Sequence, residues 1–189
     1  MSYRFPQGNV FYRKLRASLP LIVRGDGITL YDDRCKKYLD ASGGAIVVNV
    51  GHGVEEIVDA MAEQAKKIAY VNGTQFTNEA VETLAKELAE VMPAPLNRVY
   101  PLTSGAEATE AAIKLTRQFW VHKGCEGKFQ VISHTPGYHG STLGALMVSG
   151  RPMAKRLYHP LLHEFPLIPI PSCYRCPYDD IYSSPFWNR

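Results

Sequence analysis

The sequence predicts an α/β fold, three-layered on a mainly parallel sheet and incomplete toward its C-terminal side. Three features carry that expectation. Apolar residues recur at helical spacing over residues 54–70, 79–92 and 108–119. Two short β-rich runs, RVYPLT (98–103) and FQVISH (129–134), alternate with those helices, which argues for βαβ units. The stretch before residue 45 instead breaks into short β-like pieces at Gly and Asp turn signals, the mark of a separate β-rich segment.

Each element follows from its residues. LIVRGDGITLYDDRCKKYLD, with turns at Gly25-Asp26-Gly27 and Asp32-Asp33, is expected to pair as two antiparallel strands between Leu21 and Leu39. DASGGAIVVNVGHG has no regular period and reads as a glycine-punctuated loop. A helix from Val54 to Tyr70 lines up Ile57, Ala60, Met61, Ala65 and Ile68. A second, from Glu79 to Met92, lines up Val81, Leu84, Ala85, Leu88 and Met92. Thr77 or Asn78 is available as its cap, and Pro93 and Pro95 end it. The strand at 98–103 feeds a third helix with Ala108, Ala111, Ala112, Leu115 and Phe119 on one face, and GSTLGALMVS (140–149) reads as a short helix. From Leu161 onward the chain is rich in Pro and aromatics and reads as loop. So few central strands cannot form a parallel sheet covered on both faces, so the chain is expected to be the opening part of a larger architecture.

With 46% hydrophobic and 21% charged residues, the 189-residue chain has the composition of a globular protein able to bury a core. A net charge of +3 with scattered basic residues excludes a nucleic-acid binder. No apolar run reaches membrane length, and MSYRFPQGNV has no signal-peptide core. A cytoplasmic protein with reduced cysteines is therefore expected. There is no internal repeat and neither GxGxxG nor GxxxxGK[ST], which sets nucleotide binding aside.

The chemistry concentrates at PLTSGAEATEAAIKLTRQFW (101–120). Ser104-Gly105-Ala106 opens a helix, and two readings of that turn stand side by side. Ser104 is a helix cap, or the turn is an anion seat, because the first N–H groups of a helix lack partners and its dipole favours negative charge. Glu107 and Glu110 suit both.

TSGAEATEAAIKLTRQF, followed further on by SHTPGYHGSTLGAL, resembles the class III pyridoxal-phosphate-dependent aminotransferases, members of the fold type I group. YLDASGGAIVVNVGHGVEEIVDAM, FTNEAVETLAKELAE and CYRCPY match the same family in order, over nearly the whole chain from Leu21. The resemblance implies that residues 1–45 belong to a small domain and 46–189 to the N-terminal part of a cofactor-binding large domain. It assigns the cofactor phosphate to the backbone N–H groups of Gly105 and Ala106, with Ser104 leading into the turn. Tyr138 would stack on the pyridine ring, and His139 and Gly140 complete the motif, His139 either as a hydrogen-bonded wall or in a direct role. Ala45 would line the substrate side, and Phe76 lies in a segment that reaches the neighbouring subunit of family dimers.

The implied activity is amino-group transfer from an amino acid or ω-amine to a 2-oxo acid, with pyridoxal 5′-phosphate, in a homodimer or larger assembly. No lysine here, Lys114 included, sits in the family's Schiff-base context, and the aspartate that pairs with the pyridinium nitrogen has no counterpart. The expectation is a half-site that binds cofactor and does not turn over alone. A non-catalytic interaction or dimerisation module that keeps the fold is the alternative. Cys173 and Cys176 form a CxxC with His159 and His163 upstream. A metal or cluster there is weighed against thiols packed in a loop, and the packed loop is preferred.

Overall fold

The computed structural model describes residues 2–3, 8–172 and 174, which form two compact units, Met1–Glu79 and Ala80–Arg189. In the first unit, β1 (Ser2–Tyr3) pairs antiparallel with β2 (Leu19–Pro20). A three-stranded antiparallel meander follows, made of β3 (Ile22–Asp26), β4 (Thr29–Asp32) and β5 (Lys37–Leu39). Both turn signals close as expected, and the second adds a strand beyond the expected pair. Asp32, only 6% exposed, is the reason. Its carboxylate accepts the Arg34 and Lys36 N–H groups and the Tyr38 hydroxyl, each at 2.9 Å, and so folds β5 back onto β4. Desolvation pushes its pKa up, but those three hydrogen bonds and the Lys36 charge outweigh it, and the carboxyl lies below its ordinary value.

The segment read as an irregular loop carries a single turn, α1 (Gly43–Ile46), and that turn is left-handed. Gly43, Gly44, Ala45 and Ile46 have φ of 52°, 60°, 66° and 67°. Left-handed backbone costs an L-residue roughly 1–2 kcal/mol, so Ala45 and Ile46 need outside support. Asp40 supplies it: Oδ1 accepts Gly44 N–H at 3.1 Å while Oδ2 lies 3.0 Å from His52 Nε2. His52 is itself anchored by a reciprocal backbone pair with Gly27, at 2.8 and 2.9 Å. The His52 hydrogen bond foremost, and the Gly44 N–H after it, hold the Asp40 carboxyl below its usual value. Helix α2 (Glu55–Lys67) then runs as its apolar spacing predicts, with Glu55 and Glu56 in the first turn and Lys66 and Lys67 in the last, both favourable to its dipole.

In the second unit, α3 (Glu79–Val91) ends before Pro93 as predicted. The 98–103 segment does not form the predicted strand. A strand exists only as a rung of a ladder, and these residues have no pairing partner among the described ones. The 129–134 run shrinks for the same reason to β6 (Ser133–Thr135), pairing in parallel with β7 (Leu167–Pro169). Helix α4 (Gly105–His122) precedes β6, and between β6 and β7 lie α5 (Leu143–Met147), inside the stretch predicted to be a short helix, and α6 (Pro152–Lys155).

The large core expected from composition is not there. Ala145 and Val148 are the buried hydrophobics among the described residues. The stripes on α2, α3 and α4 stay open, with Met61 at 69%, Leu84 at 49% and Leu115 at 66% exposure. Their spacing was read correctly, but nothing among the described residues covers them. No helix among the described residues is long and apolar enough to cross a membrane.

Candidate functional site

Helix α4 starts where Ser104, in extended backbone, gives way to Gly105, and the donors of its first turn can be followed one by one. Ser104 Oγ accepts Glu107 N–H at 3.2 Å, and the Ser104 carbonyl accepts Ala108 N–H at 3.0 Å. The Glu107 carboxylate reaches back to the Thr103 N–H at 3.0 Å and to the Thr103 hydroxyl, a variant of the capping box. The Thr103 hydroxyl is the main reason the Glu107 carboxyl lies below its usual value, against an upward push from desolvation. The N–H groups of Gly105 and Ala106 remain, with no acceptor among the described residues. A Cβ built on Gly105 would meet nothing within 4 Å, so the side of the helix mouth at Gly105 is open. Cap and open mouth coexist: the Ser104 hydroxyl takes the Glu107 N–H and leaves those of Gly105 and Ala106.

The Tyr138-His139-Gly140 segment is brought directly against this mouth. Gly140, at φ 138°, sits so close that a Cβ there would lie 2.7 Å from Ala106 Cβ and 2.8 Å from Ala145 Cβ. Only glycine fits both the backbone and the space. The Thr109 hydroxyl donates to the His139 carbonyl at 2.9 Å, and His139 N–H donates to Ser149 Oγ at 3.0 Å. Ser149 is fully buried and donates in turn to the Ala145 carbonyl at 2.7 Å. The Thr142 hydroxyl donates to Glu110 Oε1 at 2.6 Å, tying the start of α5 to α4. His139 thus contributes two backbone hydrogen bonds to this junction. The Tyr138 ring is left 59% exposed.

Of the predicted site residues, Ser104, Gly105, Ala106, His139 and Gly140 form one junction and Tyr138 adjoins it. Ala45 and Phe76 lie in the first unit. Ala45 sits in the left-handed turn, and Phe76, 64% exposed, follows a turn in which its N–H donates to the Asn72 carbonyl at 2.9 Å. Thr109, Glu110 and Ser149 were not singled out from sequence. Thr109 and Glu110 stand one helical turn beyond Gly105 and Ala106, a spacing that could have marked them. Cys173 and Cys176 lie outside the described residues. His159 Nε2 is 2.9 Å from Glu164 Oε1, His163 packs edge-on to Phe165, and no cluster suited to a metal occurs among the described residues.

Two clefts flank α4. The larger, about 610 Å³ and lined by Ile113, Arg117, Trp120, Lys128, Phe129 and Phe165 among others, holds no predicted site residue. The smaller, about 430 Å³, runs along Tyr100–Thr103, Glu107 and Lys114 beside the helix mouth. The chemistry favours the mouth over the larger cleft, because unsatisfied donors lie there.

Fold and junction together define an α/β protein in which the first N–H groups of a long helix have no acceptor among the described residues. The aminotransferase class-III family matches residues 11–185, and the chain belongs to that family. It is 42% identical over 158 residues to a probable aminotransferase of Mycobacterium tuberculosis, covering 84% of this chain and 34% of that protein. Among solved structures, an (S)-enantioselective ω-transaminase from Thermomicrobium roseum aligns with a TM-score of 0.83 at 31% identity, over 89% of this chain and 39% of that one. The ω-transaminase of Pseudomonas jessenii, solved in complex with PMP, aligns with a TM-score of 0.83 at 26% identity, over 90% and 39%. The fold is accordingly that of the fold type I transaminases, present in part. The chain spans about a third of the length of the curated relatives it matches.

Proposed function

We propose that this chain is the N-terminal portion of a pyridoxal-phosphate-dependent aminotransferase, and that its share of the work is to seat the cofactor. On this reading residues 1–45 belong to the small domain and 46–189 to the large one. Gly105 and Ala106 donate their free N–H groups to the phosphate, helped by the α4 dipole. Ser104 acts by capping the Glu107 N–H, which leaves the Gly105 and Ala106 donors to the anion. Gly140 lets the loop carrying Tyr138 close onto Ala106, and Tyr138 offers an exposed ring to the flat heterocycle. When bound, pyridoxal phosphate supplies an electron sink for amino-group chemistry on an amino acid or ω-amine donor and a 2-oxo acid acceptor. Ala45, held by Asp40 and His52, lines the substrate side. Phe76 faces a neighbouring subunit in a homodimer, an assembly supported by the uncovered apolar residues of α2 and α3. A cytoplasmic location accompanies this reading.

The observation that carries the proposal is the pair of N–H groups, at Gly105 and Ala106, without an acceptor among the described residues at a helix mouth. Titration of the chain with pyridoxamine 5′-phosphate tests it, because that form lacks the aldehyde and cannot attach to surface lysines. One-to-one binding that inorganic phosphate displaces is expected. Absence of binding, or binding that phosphate leaves untouched, refutes it.

A further inference from the structure

The Tyr138 ring is not free on both faces. The Arg151 guanidinium lies over it, with Cζ 4.6 Å from the ring centroid. The two residues are thirteen positions apart, and the backbone brings them together deliberately. Gly150 N–H donates to the Gly137 carbonyl at 3.0 Å, and Gly137 N–H returns the bond to the Gly150 carbonyl at 3.4 Å. The Thr135 hydroxyl adds a third hydrogen bond to the clamp, donating to the Gly150 carbonyl at 3.2 Å. Gly150 is buried, and a Cβ there would fall 2.1 Å from the His134 carbonyl oxygen, so the clamp admits no side chain. Tyr138 and Arg151 each leave this clamp on its next residue. Pro152 then disfavours helical backbone at Arg151, which is found at φ −123°, ψ 83°. Among the described residues no carboxylate or carbonyl accepts from the guanidinium, so the ring is its recorded partner.

We propose that Arg151 is a positioning residue, which fixes the plane of Tyr138 so that the opposite ring face meets the flat cofactor. The inference rests on the cofactor-seat reading given above. An exposed tyrosine on a loop turns about two side-chain torsions, and a ligand that stacks on it must bear the cost of stopping them. A guanidinium stacked on one face stops them beforehand, by cation–π attraction and by its own flat shape. The ring is then preorganised, and the uncovered face is the one presented to the ligand.

The test uses the whole 189-residue chain and two probes, pyridoxamine 5′-phosphate and inorganic phosphate, measured by calorimetry for the parent, Arg151→Gln, Arg151→Lys, Tyr138→Ala and the Tyr138→Ala/Arg151→Gln pair. Arg151→Gln is expected to weaken pyridoxamine phosphate about fivefold while leaving inorganic phosphate unchanged. Arg151→Lys keeps the charge without the planar stack and should recover less than half of that loss. In the Tyr138→Ala background, Arg151→Gln should do nothing more. Urea midpoints measured alongside should be the same for the parent and both Arg151 variants, which separates positioning from a fold defect. Equal loss for both probes would make Arg151 an anion ligand and overturn the inference. So would an undiminished effect without the Tyr138 ring, or no effect at all. If the parent binds inorganic phosphate but not the pyridoxamine ester, the ring site and this inference fall while the anion seat stands. If it binds neither, the functional reading fails first and takes the inference with it.

Discussion

The most informative perturbation is Gly105→Val, because the structure separates its effect on folding from its effect on ligand. Gly105 is the first residue of α4, its φ is not in the left-handed region, and a Cβ there meets nothing within 4 Å. The helix therefore does not need glycine. On propensity alone, valine in place of glycine is favourable by a few tenths of a kcal/mol, so unfolding free energy should change by less than about 0.5 kcal/mol. The anion seat does need it. The valine methyl groups would stand in front of the Gly105 and Ala106 N–H groups, and loss of one hydrogen bond to a charged group costs about 1.5–3 kcal/mol. That corresponds to roughly a ten- to 150-fold loss of affinity. Backbone amide shifts followed during an inorganic phosphate titration report the seat directly, and a urea melt reports the fold. In the parent, the Gly105 and Ala106 amides should move most; in Gly105→Val that response should disappear at concentrations that saturate the parent. If stability and affinity fell together, Gly105 would be structural. If affinity stayed, the anion site would lie elsewhere.

Other outcomes follow from the same contacts. Gly140→Ala places a Cβ within 2.7 Å of Ala106 Cβ at φ 138°, and overpacking plus backbone strain should cost about 2–5 kcal/mol in a urea melt. Ser104→Ala removes the cap on Glu107 N–H and should cost about 1 kcal/mol, while phosphate affinity should hold or rise as a donor is freed. Asp40 titrates below its usual value when folded, so its contribution is complete above the ordinary carboxylate pKa of 3.8 and is lost as pH falls through the lower folded value. Asp40→Asn should therefore lower the urea midpoint at pH 7 but leave it nearly unchanged well below pH 3.8, when the parent carboxyl is protonated too. Acid titration of the His52 and Gly44 amide signals should show the same carboxyl releasing the α1 turn.

What could be read from sequence was what is decided locally. The helices followed from 3.6-residue spacing, and α4 began at the residue its serine cap indicated, because capping involves only neighbours three and four positions on. The turns at Asp26–Gly27 and Asp32–Asp33 were legible for the same reason. The strand expected at 98–103 was not, since a ladder requires a partner far away in the chain and β propensity cannot supply one. The left-handed turn at Ala45 and Ile46 was invisible because those side chains argue against it, and it depends on Asp40 and His52, twelve residues apart. Thr109 with His139 and Arg151 with Tyr138 escaped similarly, being contacts made by the fold and not by any motif.

Cap and anion seat looked like rival explanations of Ser104-Gly105-Ala106, and the hydrogen bonds leave room for both. A helix mouth offers four donors. Here the Ser104 hydroxyl takes the Glu107 N–H, the Ser104 carbonyl accepts the Ala108 N–H as the first bond of the regular ladder, and the Gly105 and Ala106 N–H groups are left. The Glu107 carboxylate is turned back onto Thr103 and held there by two bonds, so it lends its charge to the mouth without accepting from Gly105 or Ala106. The residues that stabilise the helix are thus the ones that leave Gly105 and Ala106 unpaired, and the absence of a side chain on Gly105 keeps the approach clear. Capping selects which donors stay free. Gly140, pressed on Ala106, then brings the Tyr138 loop up against the same helix mouth, so the seat and its adjoining loop are built by one contact.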